Sequence, residues 1–304
     1  MKMTMVIPAR NEMETIGGVV RNVRTVFDGD IVVVDNGSTD ATTERALEAG
    51  ATVVAEREAG YGRACMAGVA AAPTETELFL FMDGDGSDRV EDIPALLKAI
   101  ADGADIALAV RAGPNVEPGS IARAARFGNW LSGSLLGLLW GRRLHDLSPL
   151  KAVRAAALRQ LDLKERTYGW TVELLAGAVA LKMTVAEVPA GYRRRAGGTS
   201  KVSGQLGPSV RAGGRILATI ARAWWRRPNL VRAGALVGLL AGAACIGVFA
   251  GWLSSSGPAS SGVYAAAWLL AWPVLLAGVF SGLAGGAVVE LARERRMFRT
   301  RSRR

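Results

Sequence analysis

Histidine and cysteine are scarce in this chain of 304 residues, which contains one histidine and two cysteines. Two cysteines are too few for a disulfide scaffold, and Cys65 and Cys245 are interpreted as small buried apolar residues. Because His145 is the single histidine, a histidine-rich metal site is excluded and a Ser-His-Asp triad is disfavoured. Long disordered segments are also excluded, because 50% of the residues are hydrophobic.

Acidic residues are scarce in the second part of the chain. Residues 1–110 contain 9 lysines and arginines against 19 aspartates and glutamates, whereas residues 111–304 contain 28 against 8. A basic region of this kind is typical of proteins that bind nucleic acid or an anionic membrane surface. The arginines flank apolar runs and no aromatic-basic RNA-binding motif is present. We therefore expect membrane lipids as partners and no nucleic acid.

Charged residues are absent from two long runs, 233–253 and 263–289. Each run is long enough to span a bilayer as a helix, and membrane helices tolerate the glycines and Pro273 of the second run. The alternative, two core helices of a soluble domain, would need a covering layer that the remaining chain does not offer. Arginines lie outside both runs, so the positive-inside rule predicts an integral protein of the cytoplasmic membrane with both flanks in the cytoplasm.

An amphipathic helix is predicted just before the first run. In the segment 207–227, four arginines project within about 60° of one another at the helical period, opposite a set of apolar residues. The arginines are Arg211, Arg215, Arg222 and Arg226. This pattern favours a helix in the membrane interface, although a solvated charged face explains it as well. We divide the chain into a cytosolic domain (1–206), a juxtamembrane helix (207–230), a membrane hairpin (231–290) and a basic tail (291–304).

Short apolar runs alternate with helical stretches in the first 110 residues. Strands are predicted at 3–8, 31–35, 51–55, 78–83 and 105–110. Helices are predicted at 12–27, 40–49, 63–72 and 92–102. Strands that are apolar throughout are typical of a parallel sheet with helices on both faces. We therefore expect an α/β fold with a Rossmann-like, mostly parallel sheet, whose ligands bind beyond the carboxyl ends of the strands.

Carboxylates follow two of the predicted strands. Asp35 ends the second strand, where it could bind a nucleotide or form an Asx turn. Asp83, Asp85 and Asp88 follow the strand at 78–83 and would repel one another. Oxygen ligands suit Mg²⁺ or Mn²⁺, so the sequence predicts a metal on Asp83 and Asp85, whereas Asp88 is also explained as a helix cap.

Two glycines, Gly60 and Gly62, precede the predicted helix at 63–72. A divalent ion on an acidic loop commonly holds a diphosphate as well. Glycines at a helix N-terminus can receive phosphate oxygens, although glycine turns are common in any protein. Gly62 is therefore included among the candidate nucleotide-binding residues.

Several motifs, in their order along the chain, resemble family 2 glycosyltransferases of the GT-A fold. They are Val6-Ile-Pro-Ala-Arg-Asn-Glu12, Val34-Asp35-Asn-Gly-Ser-Thr-Asp40 and Asp83-Gly-Asp85. Further motifs resemble the polyprenyl-phosphate (dolichyl-phosphate-type) branch of that family. They are Arg126-Phe-Gly-Asn129, Asp146-Leu-Ser148-Pro-Leu-Lys151, Gly169-Trp-Thr-Val-Glu173 and the segment from Val188 to Lys201. The resemblance covers roughly residues 3–205, and a C-terminal two-helix membrane anchor also resembles one subgroup of the branch.

The resemblance implies a donor site for a nucleotide sugar. Pro8, Glu12 and Asp35 would line the nucleotide pocket. Asp83 and Asp85 would hold the metal and the diphosphate of the donor. The nucleotide and the sugar themselves stay undetermined, with GDP-mannose and UDP-glucose as the two types considered.

The resemblance also implies a site for the phosphate of a polyprenyl phosphate acceptor. Arg111 and Arg126 match arginines that would meet this phosphate. Arg195, Ser200 and Lys201 match a basic segment near the donor and acceptor phosphates. These cations would offset the repulsion between two anionic substrates.

Asp146 matches an acid close to the sugar. A phosphate monoester is largely dianionic near pH 7, its second pKa being about 6, so this acceptor needs no strong general base. Asp146 is therefore interpreted as orienting the sugar or the acceptor; a base, a helix cap and an ion pair with Arg143 are alternatives. The candidate catalytic residues are Asp85, Arg126, Asp146 and Lys201.

The predicted function is an inverting, metal-dependent sugar transfer to polyprenyl phosphate at the cytoplasmic face of the membrane. One alternative is a family 2 enzyme that glycosylates a lipid hydroxyl or a glycan and therefore needs a base. Another is a membrane-anchored sugar-nucleotide sensor without turnover. The sequence leaves a homo-oligomer open.

Overall fold

Seven strands form one mixed sheet in the computed structural model, which describes residues 1–140 and 142–197. They are β1 (Met3–Ala9), β2 (Asp30–Asp35), β3 (Thr52–Ala55), β4 (Leu78–Phe81), β5 (Ile106–Val116), β6 (Lys151–Arg154) and β7 (Val185–Tyr192). They lie in the order β3-β2-β1-β4-β6-β5-β7. All neighbours are parallel except β6, which runs antiparallel to β4 and β5. The prediction of a mostly parallel α/β sheet is confirmed for this part of the chain.

Within the residues that the structure describes, seven α-helices connect or follow these strands. They are α1 (Ile16–Arg24), α2 (Thr42–Glu48), α3 (Tyr61–Ala71), α4 (Ile93–Ala101), α5 (Arg123–Trp140), α6 (Ala155–Gln160) and α7 (Trp170–Ala180). The four predicted helices correspond to α1 to α4. The prediction for α1 was too long, because residues 12–15 form a turn that leads into the helix.

Two hydrophobic layers cover the sheet, one on each face. Alternate residues of β1 point to opposite layers, so that Met5 and Ile7 pack with α1 and α4, whereas Val6 packs with α3 and α7. The strands are apolar throughout because both of their faces are buried. This packing fixes the carboxyl ends of β1, β2 and β4 at one edge of the sheet.

Helix α3 packs unusually close to the sheet at Gly68. A Cβ atom on this glycine would lie 2.3 Å from Cγ1 of Val6 and 3.0 Å from Cγ2 of Val34. Because no side chain fits there, the glycine sets the distance between α3 and the first two strands.

The described residues belong to the unit Met1–Ala223. The predicted juxtamembrane helix, the two predicted spans and the basic tail lie outside the described residues, as do Ser200 and Lys201. Among the helices within 1–140 and 142–197, none combines the length and the apolar character needed to cross a membrane.

Candidate active site

The loops after β1 and β2 are tied together at the carboxyl edge of the sheet. Asn11 adopts a positive φ of 50°, and its side-chain oxygen accepts a hydrogen bond from the Thr39 backbone N–H at 2.8 Å. The backbone N–H of Glu12 donates to Oγ1 of Thr42 at 2.8 Å. Pro8, in the preceding strand, pairs with Val34. Glu12 is therefore held at the edge where the sequence predicted a nucleotide pocket.

Both carboxylate oxygens of Asp35 accept hydrogen bonds, one from the following loop and one from α2. Oδ1 accepts from the backbone N–H of Ser38 at 2.8 Å, and Oδ2 accepts from Oγ1 of Thr43 at 2.8 Å. The Asx-turn alternative is thus present in the structure. Nucleotide binding by Asp35 stays a prediction.

Residues 83–88, which we call the acidic loop, turn tightly at the end of β4. Gly86 has a φ of +75°, and the loop is closed by hydrogen bonds from Asp83 N to Asp88 Oδ2 (3.2 Å) and from Ser87 N to Asp85 Oδ1 (2.9 Å). Asp85 and Asp88 are buried, and Asp83 is partly buried. The fold therefore confines three carboxylates to one short loop.

Burial and mutual repulsion raise the pKa values of two carboxyl groups in the acidic loop. Burial, followed by the charge of Asp85, raises the pKa of Asp88 from 3.8 to about 7. Burial also raises the pKa of Asp83 well above its ordinary value, with repulsion from Asp85 and Asp88 adding to it. Asp88 does not cap the 3₁₀ turn Val90–Asp92, whose capping position is Arg89, so the helix-cap alternative was wrong.

The acidic loop has oxygen ligands that suit Mg²⁺ or Mn²⁺. Within residues 1–140 and 142–197, however, no three histidine, cysteine, aspartate or glutamate side chains are placed to hold a metal together. Mg²⁺ is commonly bound by one or two carboxylates together with substrate phosphates. Asp83 and Asp85 fit a site of this second kind, which a diphosphate and water would complete.

A buried lysine lies beneath the acidic loop. The Lys151 side chain has no exposed surface; its ammonium donates to the Pro149 carbonyl at 2.7 Å and lies 5.7 Å from the centre of the Trp170 ring. Burial lowers the pKa of Lys151 to about 8, although the neighbouring acidic groups Cys65, Asp83 and Asp88 act in the opposite direction. The sequence motif that contains Lys151 did not assign this residue a role. The feature that could have drawn attention to it is a lysine among apolar residues at the start of β6.

Arg195 reaches the acidic loop from the segment that follows β7. Its guanidinium donates to Asp85 Oδ2 at 2.8 Å and to both carboxylate oxygens of Glu12 at 2.7 Å. Burial lowers the pKa of Arg195, but Glu12 and Asp85 outweigh this effect, and the net pKa is raised. The structure therefore brings together Glu12, Asp85 and Arg195, three of the predicted donor-site residues.

Arg111 and Asp146 form a second, almost fully buried pair. The backbone N–H and Nε of Arg111 donate to Asp146 Oδ2 at 2.9 and 2.8 Å, and Nη2 donates to Oδ1 at 2.7 Å. Oδ1 also accepts from Asn129 Nδ2 and from the Leu147 backbone N–H. The partner of Asp146 is therefore Arg111, and the alternative ion pair with Arg143 was wrong.

Arg111 links this pair to the acidic loop. Its guanidinium lies 4.8 Å from the centre of the Tyr192 ring, and its charge partly opposes the rise that burial causes in the pKa of Asp83 and Asp88. Arg126 lies on α5, one turn before Asn129, with its side chain exposed. Asn129 and Tyr192, which sequence reasoning did not assign, thus belong to the surroundings of Arg111.

Gly62 is explained by packing at the start of α3. A Cβ atom there would lie 2.6 Å from the Glu165 carbonyl oxygen and 2.8 Å from Cβ of Trp170. The neighbouring Arg63 N–H donates to the Arg166 carbonyl at 3.0 Å. In this structure the glycine makes room for the protein's own backbone, and phosphate binding at Gly62 stays a prediction.

The sequence of residues 4–161 matches the family model described as glycosyl transferase family 2. The match covers more than half of the chain. The chain belongs to glycosyl transferase family 2. Its carboxylate-rich strand ends and the Arg111–Asp146 pair are thus features of a family 2 glycosyltransferase.

Two relatives of this family 2 glycosyltransferase show the extent of the similarity. An uncharacterized glycosyltransferase of Mycobacterium tuberculosis is 36% identical over 207 residues, which are 68% of this chain and 92% of the relative. A dolichyl-phosphate hexose transferase of Haloferax volcanii is 33% identical over 200 residues, which are 65% of this chain and 85% of the relative.

The fold agrees with that of a solved glycosyltransferase. Glucosyl-3-phosphoglycerate synthase from M. tuberculosis, crystallised with Mn²⁺, UDP and glucosyl-3-phosphoglycerate, superposes with a TM-score of 0.60 at 23% sequence identity. The match covers 75% of this chain and 81% of the synthase chain. At this identity the comparison establishes the GT-A-like fold.

Proposed function

We propose that the protein transfers a sugar, with inversion, from a nucleotide sugar to a polyprenyl phosphate. The observation that carries the proposal is the buried cation of Arg111 beside the acidic loop. A site for two anionic substrates needs cations on the acceptor side and an acid-bound metal on the donor side. The relation to a dolichyl-phosphate hexose transferase supports a polyprenyl phosphate as the acceptor.

The hydrogen bonds that Asp146 accepts support a phosphate acceptor over a hydroxyl acceptor. A hydroxyl nucleophile needs a base within hydrogen-bond reach, and the sequence offered Asp146 for that role. This carboxylate accepts five hydrogen bonds from Arg111, Asn129 and Leu147, so both of its oxygens are already engaged by donors of the protein. A dianionic phosphate needs no proton removed before it attacks.

The proposed reaction is a single displacement. An oxygen of the acceptor phosphate forms a bond to the anomeric carbon, while the bond from that carbon to the diphosphate breaks and its electron pair leaves with the nucleoside diphosphate. Arg111 and Arg126 would bind the acceptor phosphate, and Arg195 and Lys201 would contact the phosphates of donor and acceptor. No proton transfer is required, so the charges and atoms balance.

Asp83 and Asp85 would hold Mg²⁺ or Mn²⁺, and a bound divalent ion supplies stabilisation of the negative charge that develops on the leaving diphosphate. Glu12 would bind the nucleotide beside this loop. Pro8 and Gly62 would line the same pocket through their backbone, and Asp35 would contact the nucleoside.

The proposal includes the membrane. We propose that the two apolar runs at 233–253 and 263–289 anchor the protein in the cytoplasmic membrane, with the catalytic domain and the basic tail in the cytoplasm. The arginine-rich helix at 207–230 would then concentrate an anionic lipid acceptor at the interface.

The proposal is tested with the full chain in isolated membranes. Labelled GDP-mannose and UDP-glucose are each supplied with undecaprenyl phosphate and Mn²⁺ or Mg²⁺. We expect one donor to yield an organic-soluble product that mild acid cleaves. Asp85→Asn should reduce its formation by about 100-fold or more, because the variant loses a metal-binding charge beside the diphosphate.

Asp102→Asn is the matched control, since Asp102 is an exposed carboxylate paired with Lys98 on α4. It should retain full activity. Transfer to a lipid hydroxyl or a glycan, with none to undecaprenyl phosphate, would contradict the proposed acceptor. Donor binding without transfer to any acceptor would favour the sensor.

A further inference from the structure

The segment 193–197 is fixed across the acidic loop by its backbone. The Arg193 N–H donates to the Ser87 carbonyl at 2.9 Å, and the Ala196 N–H donates to the Asp85 carbonyl at 3.1 Å. On the far side, a Cβ atom on Gly197 would lie 2.6 Å from Oε2 of Glu14. Because the backbone of the segment is hydrogen-bonded to the acidic loop on both sides of Arg195, the Arg195 side chain points toward that loop.

The guanidinium of Arg195 lies between two acids of the predicted donor site. It bridges Asp85 Oδ2 (2.8 Å) and the Glu12 carboxylate (2.7 Å), two acids that are less than a tenth exposed. The second oxygen of Asp85 accepts from the Ser87 N–H at 2.9 Å. Both oxygens of the predicted metal ligand are therefore engaged before any metal binds.

A free divalent cation and this guanidinium compete for the same oxygen. Mg²⁺ binds oxygen at about 2.0–2.1 Å, so an ion on Asp85 Oδ2 would approach the guanidinium closely. Like charges at such a distance repel strongly in a partly buried site. A metal ion that arrives with a diphosphate differs, because its phosphate oxygens offer Arg195 new partners.

We propose that Arg195 is a positioning residue that keeps the affinity of Asp85 for a free divalent cation low until a nucleoside diphosphate binds. Arg195 would then exchange Glu12 and Asp85 for the diphosphate, so that metal and nucleotide enter together. This inference rests on the proposed function for its choice of ligand, a metal–nucleoside diphosphate complex.

The neighbouring arginines provide matched controls on the same segment. Arg193 pairs with Glu91 and Arg194 pairs with Glu117, and in both pairs the side chains are exposed. These pairs stabilise little because solvent screens them. Replacing Arg194 therefore removes the same charge from the same segment and leaves the contacts of Asp85 intact.

The experiment measures Mn²⁺ binding to the full chain in detergent micelles by the electron paramagnetic resonance signal of free Mn²⁺, without nucleotide. Arg195→Met should lower the Kd for Mn²⁺ by about tenfold, a coupling within the usual range for interacting sites. Arg194→Met should leave it unchanged. Arg195→Lys, which keeps the charge, should resemble the wild type.

A second titration adds GDP or UDP at saturation. In the wild type the nucleotide should lower the Kd for Mn²⁺ more than it does in Arg195→Met, since only the wild type has an arginine to release. An unchanged Mn²⁺ affinity in Arg195→Met, or a loss of binding, would overturn the inference. Equal tightening by Arg195→Lys and Arg195→Met would also overturn it, because charge would then not be the cause.

These readouts are independent of the acceptor. If Arg195→Met tightens Mn²⁺ binding while undecaprenyl phosphate is not glycosylated, the role of Arg195 stands and the proposed acceptor is wrong. If transfer to undecaprenyl phosphate occurs and the Mn²⁺ affinities are equal, the proposed function stands and this inference is wrong.

Discussion

Both oxygens of the Asp146 carboxylate accept hydrogen bonds from the protein. Three of its five hydrogen bonds come from Arg111, and a fourth ties it to Asn129 on α5. The pair therefore fixes the planar guanidinium in one orientation, which suits bidentate binding of a phosphate. This places Asp146 among the residues that position Arg111.

Asp146→Asn tests this role. An asparagine cannot accept both arms of the Arg111 fork, so we expect the KM for undecaprenyl phosphate to rise by about 10–100-fold, which corresponds to the roughly 1.5–3 kcal/mol that a hydrogen bond to a charged group contributes. The Kd for the nucleotide sugar should stay the same. Steady-state transfer at varied acceptor concentration measures the first quantity, and equilibrium binding of the labelled donor measures the second.

The pH profile separates positioning from base catalysis. A positioning role leaves the shape of the kcat/KM profile unchanged in Asp146→Asn, and Arg111→Lys should show the same rise in acceptor KM. A large fall in kcat with an unchanged acceptor KM, together with loss of the acidic limb of the profile, would instead identify Asp146 as the base.

Asp88 makes the metal-free fold less stable at higher pH. Its pKa is about 7 in the folded protein against 3.8 ordinarily, so the folded state keeps a proton that the unfolded state releases between these values. The free energy of unfolding therefore falls as the pH rises from about 4 to 7, and the full cost is present above that window. Asp85 contributes to this cost because its charge lies beside Asp88.

Asp88→Asn should relieve this cost. In EDTA we expect the Tm at pH 8 to rise by about 2–4 °C, the shift that accompanies roughly 1 kcal/mol in a domain of this size. At pH 5 the gain should be smaller, because the folded wild type is already protonated there. Thermal unfolding at both pH values measures the difference, and a gain that is equal at the two values would contradict the pKa assignment.

Helix α3 is sensitive to one added methyl group at its contact with the sheet. At Gly68 a new Cβ would meet Val6 at 2.3 Å, and both partners are fixed in the buried sheet–helix contact. We expect Gly68→Ala to lower the free energy of unfolding by about 1–3 kcal/mol, the usual cost of overpacking. Thermal unfolding measures this change.

Gly18→Ala in α1 is the control, because a Cβ there has no atom within 4 Å. It should leave the Tm unchanged or raise it, since alanine favours a helix by up to about 1 kcal/mol over glycine. If Gly68→Ala also left the Tm unchanged, the close approach of α3 to β1 would be wrong.

At the scale of elements, the first five strands could be predicted and the last two could not. β1 to β5 begin with continuous apolar runs, which local sequence reveals. β6 has only four residues, from Lys151 to Arg154, and its antiparallel place between β4 and β5 depends on pairing across the chain. The cluster of carboxylates after β4 could be predicted because three acids follow an apolar strand, and its role as a metal site stays a prediction. The partners of Arg195 and Asp146 could not be predicted, because they depend on long-range contacts.

At the scale of the whole molecule, the positions of the basic residues in the second part of the chain predict an orientation in the membrane. Arginines lie before the first apolar run and after the second, whereas the linker at 254–262 has none, so the positive-inside rule predicts the membrane orientation. We propose on this basis that the linker faces outward and the tail at 291–304 faces the cytoplasm.

Cysteine labelling in intact cells measures this orientation. Ser260→Cys, in the linker, should react with a membrane-impermeant maleimide, whereas Ser302→Cys, in the tail, should react only after the cells are permeabilised. The wild type is the control, because Cys65 is buried and Cys245 lies in the first apolar run. Labelling of both positions before permeabilisation would mean that the tail is outside. Equal protection of both would place the linker in the cytoplasm, and the two runs would then not form a spanning hairpin.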